Sequence, residues 1–99
     1  MRYQFDWDPA KERRNIHRHG VSFRQATSVF RDPNQVSAYD EGHSDVEERW
    51  VTLGLDSSGT LRVVVHTFVE LEEDAWRIRI ISARKATTVE TRQYRERNP

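Results

Sequence analysis

The chain has 99 residues, enough for one domain built on one hydrophobic core. It contains no cysteine, which excludes a disulfide framework and a thiolate-ligated zinc site. Apolar residues make up 35% and charged residues 32%, the formal net charge is zero, and no apolar run approaches the roughly 20 residues of a membrane helix.

Met1-Arg2-Tyr3-Gln4-Phe5-Asp6 lacks the apolar core of a secretory signal, so a soluble, cytoplasmic, single-domain protein over residues 1–99 is expected. Tyr3, Phe5 and Trp7 alternate with polar residues and predict a strand. Asp8-Pro9 opens a helix that runs through Lys11 to His19 and stops at Gly20. Ser22 and Gln25 have capping-box spacing, and Phe23, Ala26, Val29 and Phe30 give the second helix its apolar face. Asp32-Pro33-Asn34 ends it, Val36 to Tyr39 reads as a short strand, and residues 40–48 as an acidic loop.

The second half predicts a β-meander. Its strands are Arg49 to Leu55, Leu61 to Phe68 and Trp76 to Ala83, joined by the turn Asp56-Ser57-Ser58-Gly59 and an acidic connection over residues 70–74. Thr87 and Glu90 form a second capping box before a basic helix, Thr88 to Arg97. The order β-α-α-β-β-β-β-α implies an α+β domain, with helices packed on one face of an antiparallel sheet.

The zero net charge conceals segregation. Residues 1–39 carry seven basic and four acidic side chains, residues 40–74 two and ten, and residues 75–99 seven and two. Positive ends around a negative middle can mark a polyanion-binding face set against an acidic one, or only a solvated, salt-bridged surface. Fourteen of the sixteen basic residues are Arg, whose planar fork suits phosphate.

Hairpin arithmetic suggests a constellation. Pairing Leu55 with Thr60 sets Arg49 opposite His66, and pairing Val69 with Trp76 sets His66 opposite Arg79. Arg49, His66 and Arg79 would then form one row, with Val51, Val64 and Ile81 on the same face. Trp50, Thr52, Val63, Val65, Ile78 and Ile80 would lie beneath the helices. A slip of one residue in either hairpin scatters the row. Two further clusters could meet an anion. Arg84 and Lys85 sit where the last strand gives way to a helix N-terminus. Lys11, Asn15 and His19 recur at i, i+4 and i+8 on one helix face. His17 lies off that row, His43 has no evident partner, and no histidine spacing suggests a metal site.

These residues resemble a known family. Phe5-Asp6-Trp7-Asp8-Pro9-Ala10-Lys11, Asn15, His19-Gly20-Val21-Ser22-Phe23, Ala26 and Val29-Phe30 are similar to the opening pattern of the BrnT family. So are Arg49, Val63-Val64-Val65-His66-Thr67, and Arg79-Ile80-Ile81-Ser82-Ala83-Arg84-Lys85-Ala86-Thr87 with Glu90, Arg92 and Tyr94. The resemblance covers nearly the whole chain. It implies a RelE-like fold, a ribonuclease toxin of a type II toxin–antitoxin pair, and a BrnA-type antitoxin that also binds operator DNA. The chain departs from the family's shorter turn after the His-Thr position.

The expectation that follows is RNA cleavage without metal or cofactor, by attack of the 2′-hydroxyl on the adjacent phosphate. His66 would exchange protons while Arg49 and Arg79 neutralise the phosphate. Arg84, Lys85, Tyr94, Lys11 and His19 would hold the rest of the substrate. The competing expectations are a non-catalytic toxin of the same fold that binds a protein, a degenerate toxin kept for its partner, and a plain nucleic-acid-binding module.

Overall fold

The computed structural model describes residues 2–43 and 47–98; residues 44–46 of the expected acidic loop and the side chain of His43 lie outside the described set. The elements are β1 (Arg2–Trp7), α1 (Pro9–His19), α2 (Phe23–Thr27), β2 (Val36–Tyr39), β3 (Trp50–Leu55), β4 (Leu61–His66), β5 (Val69–Glu72), β6 (Ala75–Lys85) and α3 (Thr88–Arg97). Short 3-10 turns cover Ser28–Arg31 and Glu41–His43. No described helix is long and apolar enough to cross a membrane.

Helix ends form where the side chains can satisfy them. Asp8 accepts a hydrogen bond from the Ala10 N–H at 2.8 Å, and Gly20 closes α1 with φ 71°, a conformation that suits glycine. Ser22 accepts from the Gln25 N–H at 3.0 Å, but Gln25 does not close the expected capping box. It reaches Ser57 instead, while Glu12 of α1 takes the Phe23 N–H at 2.9 Å. The Thr87–Glu90 box is complete.

Strands run in the order β1-β6-β4-β3-β2, with β5 also paired to β6. Two features differ from expectation. The sheet is mixed, because β1 pairs parallel to β6, with Phe5 beside Ile78 and Trp7 beside Ile80. The expected acidic connection is largely a sixth strand, β5, folded back on β6 through a tight turn in which Asp74 takes φ 62°. Aspartate tolerates that left-handed conformation better than most residues.

Register differs as well. Trp50 pairs with His66 and Leu55 with Leu61, one residue away from the expected hairpin. Between Val65 and His66 a bulge moves β4 along β6, so Val65 faces Ser82 while His66 faces Ile80. Burial explains the choice. Val64, Ile78 and Ile80 are fully buried beneath Phe23, Ala26, Val29 and Phe30 of α2 and its 3-10 turn. Each such side chain stabilises the fold by about 1.5–3 kcal/mol, and a one-residue slip would turn the strand's apolar set outward. Val63 and Val65 therefore lie on the opposite face from Trp50 and Thr52, not beside them. Gly54 permits close packing here, since a Cβ would meet Val29 at 2.8 Å.

The inner face also locks His66, which is 3% exposed. Its Nδ1 lies 2.8 Å from the Thr67 carbonyl oxygen, which can only accept, so Nδ1 carries the proton. Nε2 then accepts from the Thr52 hydroxyl at 2.7 Å, and Thr52 accepts from Ser37 at 2.7 Å. Phe30 presents its ring perpendicular to the imidazole, centroids 4.8 Å apart. Burial pushes the imidazole pKa down, only partly opposed by the Thr67 bond.

Where β1 ends, β6 loses its partner, and Asn15 of α1 takes over. Its carboxamide accepts from the Ala83 N–H at 3.1 Å and donates to the Ala83 carbonyl at 2.9 Å and the Val21 carbonyl at 3.0 Å. α1 is thus fixed to a strand edge, while α2 lies over the sheet and α3 packs against β3.

Two outcomes test this packing. Asn15→Ala strands three buried backbone groups and should lower the urea unfolding free energy by about 2–4 kcal/mol; a loss below about 0.5 kcal/mol would contradict the edge-capping role. An unfolded histidine protonates near 6.5 while folded His66 resists. Its contribution to stability is therefore full above that pH and is lost as pH falls toward the depressed folded value. The urea midpoint should drop between about pH 7.5 and pH 5.5, and His66→Phe should flatten that slope.

Candidate functional site: the outer face of the sheet

Strand alternation carries Arg49 and Arg79 away from His66. Arg79 sits between the buried Ile78 and Ile80 and projects from the outer face; Arg49 precedes Trp50, the inner-face partner of His66. Thr67 lies between the two arginines: its N–H donates to the Arg79 carbonyl at 2.9 Å, and its hydroxyl accepts from the Arg79 N–H at 3.2 Å. The expected Arg49-His66-Arg79 row is therefore not formed. In its place the outer face carries Arg49, Thr67, Arg79 and, on β1 in register with Arg79, Asp6.

Asp6 Oδ1 is 3.3 Å from Arg79 Nε, with both side chains about half exposed. That oxygen is shielded from solvent without a formal hydrogen bond, so the guanidinium is its neutralising neighbour. Arg49 is one-third exposed and lies 4.0 Å from Glu47. The pairings leave Arg79 open enough to donate to a phosphate oxygen, and a screened, half-exposed ion pair is weak enough to be displaced.

Further along β6, Ile81 and Ser82 line a hollow of about 210 Å³ with Lys11, Arg14, Asn15, Arg18 and His19 of α1. Lys11, Arg14, Arg18 and His19 are all exposed. Lys11 and His19 thus share one basic hollow, while Asn15, from the same helical row, is spent on the strand edge. Arg79 and Ser82 are three residues apart on one strand, roughly 10 Å. That separation lets a single polyanion chain meet both.

Two of the other expected substrate contacts, Arg84 and Tyr94, are engaged elsewhere. Arg84 forms a bidentate pair with Glu90 at 2.8 and 2.9 Å, which raises the Arg84 pKa and pulls the Glu90 carboxyl down to about 2. This pair ties the end of β6 to the first turn of α3. Tyr94 is buried, and its hydroxyl donates to Asp32 at 2.6 Å; burial, then the Asp32 bond, pushes the phenol up to about 12. Asp32 in turn caps the free end of β3 by accepting from the Leu55 N–H at 2.8 Å. Burial opposes the charge on Asp32, but the bonds from Leu55, Tyr94 and Asn34 hold its pKa below the usual carboxylate value. Lys85 stays exposed, beside Thr88, Thr91, Arg92 and Arg95.

Asp6, Thr67, Arg14 and Arg18 were not singled out from the sequence. The parallel pairing of β1 brings Asp6 to Arg79, and no local pattern announces a parallel partner seventy residues away. Among the described residues no three His, Asp or Glu side chains gather as metal ligands would.

The chain compares with known proteins as follows. A family model described as "Ribonuclease toxin, BrnT, of type II toxin-antitoxin system" matches residues 7–90. The fold is similar to the 1.1 Å crystal structure of the Brucella abortus ribonuclease toxin, BrnT, with a TM-score of 0.57 and 19% identity over 89% of this chain and 100% of that one. No curated protein sequence matches. With the family model spanning most of the chain, from Trp7 on β1 to the Glu90 cap of α3, this protein belongs to the BrnT family of type II toxin–antitoxin ribonuclease toxins.

Proposed function

We propose that the chain cleaves RNA on the outer face of its sheet. The observation that carries this reading is the juxtaposition of Arg79, open beside Asp6, with the basic hollow of Lys11, Arg14, Arg18 and His19 on the same stretch of β6. A 2′-hydroxyl adjacent to the scissile phosphate attacks phosphorus, the bond to the 5′-oxygen breaks, and the products are a 2′,3′-cyclic phosphate and a 5′-hydroxyl. The nucleophile is part of the substrate, so the reaction needs no metal-activated water. Arg79 and Arg49 neutralise charge as it builds on phosphorus, and Asp6 orients Arg79. Lys11, Arg14 and Arg18 hold flanking phosphates. His66 does not exchange protons in this reading, because it faces the other side with both ring nitrogens bonded. His19, the imidazole in the hollow, stands with Lys11, Arg14 and Arg18 and helps hold the flanking phosphates. A BrnA-type antitoxin would neutralise the toxin by covering this cationic face, and the pair would bind operator DNA through the antitoxin.

The test is cleavage of total RNA by the purified protein in EDTA, with the ends of the products mapped. Arg79→Ala and Arg49→Ala should each lose about a hundredfold or more in rate. His19→Ala should weaken RNA binding severalfold, while folded His66→Phe keeps most of the activity. Full activity in both arginine variants overturns the phosphate grip, and EDTA-blocked cleavage overturns the metal-free route. Growth arrest with intact RNA would favour a protein target, and salt-sensitive binding without toxicity a nucleic-acid-binding module.

A further inference from the structure

The inner face holds a feature that RNA cleavage does not use. Beside His66 a cleft of about 430 Å³ opens among aromatic rings. Phe68 and Trp76 stack with centroids 4.4 Å apart and planes 7° from parallel, and Trp50 stands 6.5 Å from Phe68 at 75°. All three are half-buried, so each keeps some ring surface open.

The electrostatic setting is the reverse of the outer face. Glu48 lines the cleft. Glu70 pairs directly with Trp76 across β5 and β6, which puts its carboxylate on the same side of the sheet as that ring. Both glutamates are exposed, and neither forms an ion pair within the described residues. Among the cleft's described lining residues the one basic group is His66, whose burial disfavours the charged form. Residues 40–74, which supply Glu48, Trp50, Phe68 and Glu70, carry ten acidic and two basic side chains. Aromatic faces and carboxylates both attract cations, and both disfavour a phosphate backbone.

We propose that this cleft is a docking site for a basic peptide segment of a protein partner, which seats an arginine against Trp50, Phe68 and Trp76 between Glu48 and Glu70. A guanidinium is planar and weakly hydrated, so it can stack on indole while donating to carboxylates at its edge. The cleft's volume of about 430 Å³ has room for a neighbouring apolar side chain as well, giving a central anchor inside a charged rim. The site is independent of the RNA-cleaving face, since its residues lie on the other side of the sheet.

The full chain, labelled with ¹⁵N, can be titrated with a blocked hexapeptide of alternating leucine and arginine at physiological salt. The indole N–H signals of Trp50 and Trp76 should shift saturably, and the matching leucine–glutamine and leucine–glutamate peptides should bind at least tenfold more weakly. Glu48→Gln combined with Glu70→Gln changes only exposed groups and should weaken the arginine peptide about tenfold, with RNA cleavage unchanged. Trp50→Ala should weaken it by a similar factor. Equal binding of the glutamine peptide, no effect of the double variant, or displacement of the indole signals by a 2′-O-methyl oligonucleotide would each overturn the proposal.

Discussion

The hydrogen bond from Thr52 to His66, buried between β3 and β4, expresses the constraint on which the rest of the molecule depends. It forms only in the register that pairs Trp50 with His66. The same register puts Val64 beneath α2 with Ile78 and Ile80. Side chains alternate along a strand, so this one choice sorts every chemically interesting residue of the sheet. Aromatic rings and a neutral imidazole go inward; Arg49, Thr67 and Arg79 go outward. A slip of one residue would bury guanidinium groups and expose the core, which is far more costly than any contact the slip could add.

A second constraint separates structural polar groups from available ones. The sheet's strands differ in length, and their ends leave backbone groups without partners. Asn15 completes the edge of β6, Asp32 the end of β3, and Glu90 the start of α3. Tyr94 and Arg84 are in turn committed to Asp32 and Glu90. Acidification would release these carboxylates: Asp56, deep below its normal range through burial-resisting bonds from Arg62, Ser58 and Thr60, belongs to the same set. Lys11, Arg14 and Arg18 of α1 and Lys85 are exposed, and Arg79 is held only by a half-exposed pair with Asp6. In the proposed reading, function is carried by cations that the fold does not need.

Much of this was legible in the sequence, for identifiable reasons. Asp8-Pro9, Gly20 and the Thr87–Glu90 box each specify a helix end locally, and the structure places ends there. The alternation of Tyr3, Phe5 and Trp7 marked β1, and the Val63-Val64-Val65 run marked β4. The pairing partners were not legible. The β3–β4 register turned on one residue in a turn, and the β4–β6 register on a bulge at Val65/His66 that has no glycine or proline to signal it. β5 was hidden because Val69-Glu70-Leu71-Glu72 is acidic and remains exposed even when paired. These registers also break the expected row of Arg49, His66 and Arg79: the two arginines lie on the outer face, and His66 faces the aromatic cleft. Tyr94 and Arg84 read as substrate contacts because sequence cannot reveal that Asp32 and Glu90 stand within reach.

The proposed partition of the sheet into a phosphate-gripping face and an aromatic face is most directly tested by mapping where RNA binds. A ¹⁵N-labelled sample titrated with a 2′-O-methyl oligonucleotide, which cannot cleave itself, reports both faces in one spectrum. The account predicts shifts at the backbone amides of Thr67, Arg79, Ser82 and Lys11, with the indole signals of Trp50 and Trp76 unmoved. Movement of the two indoles with the outer amides undisturbed would contradict it.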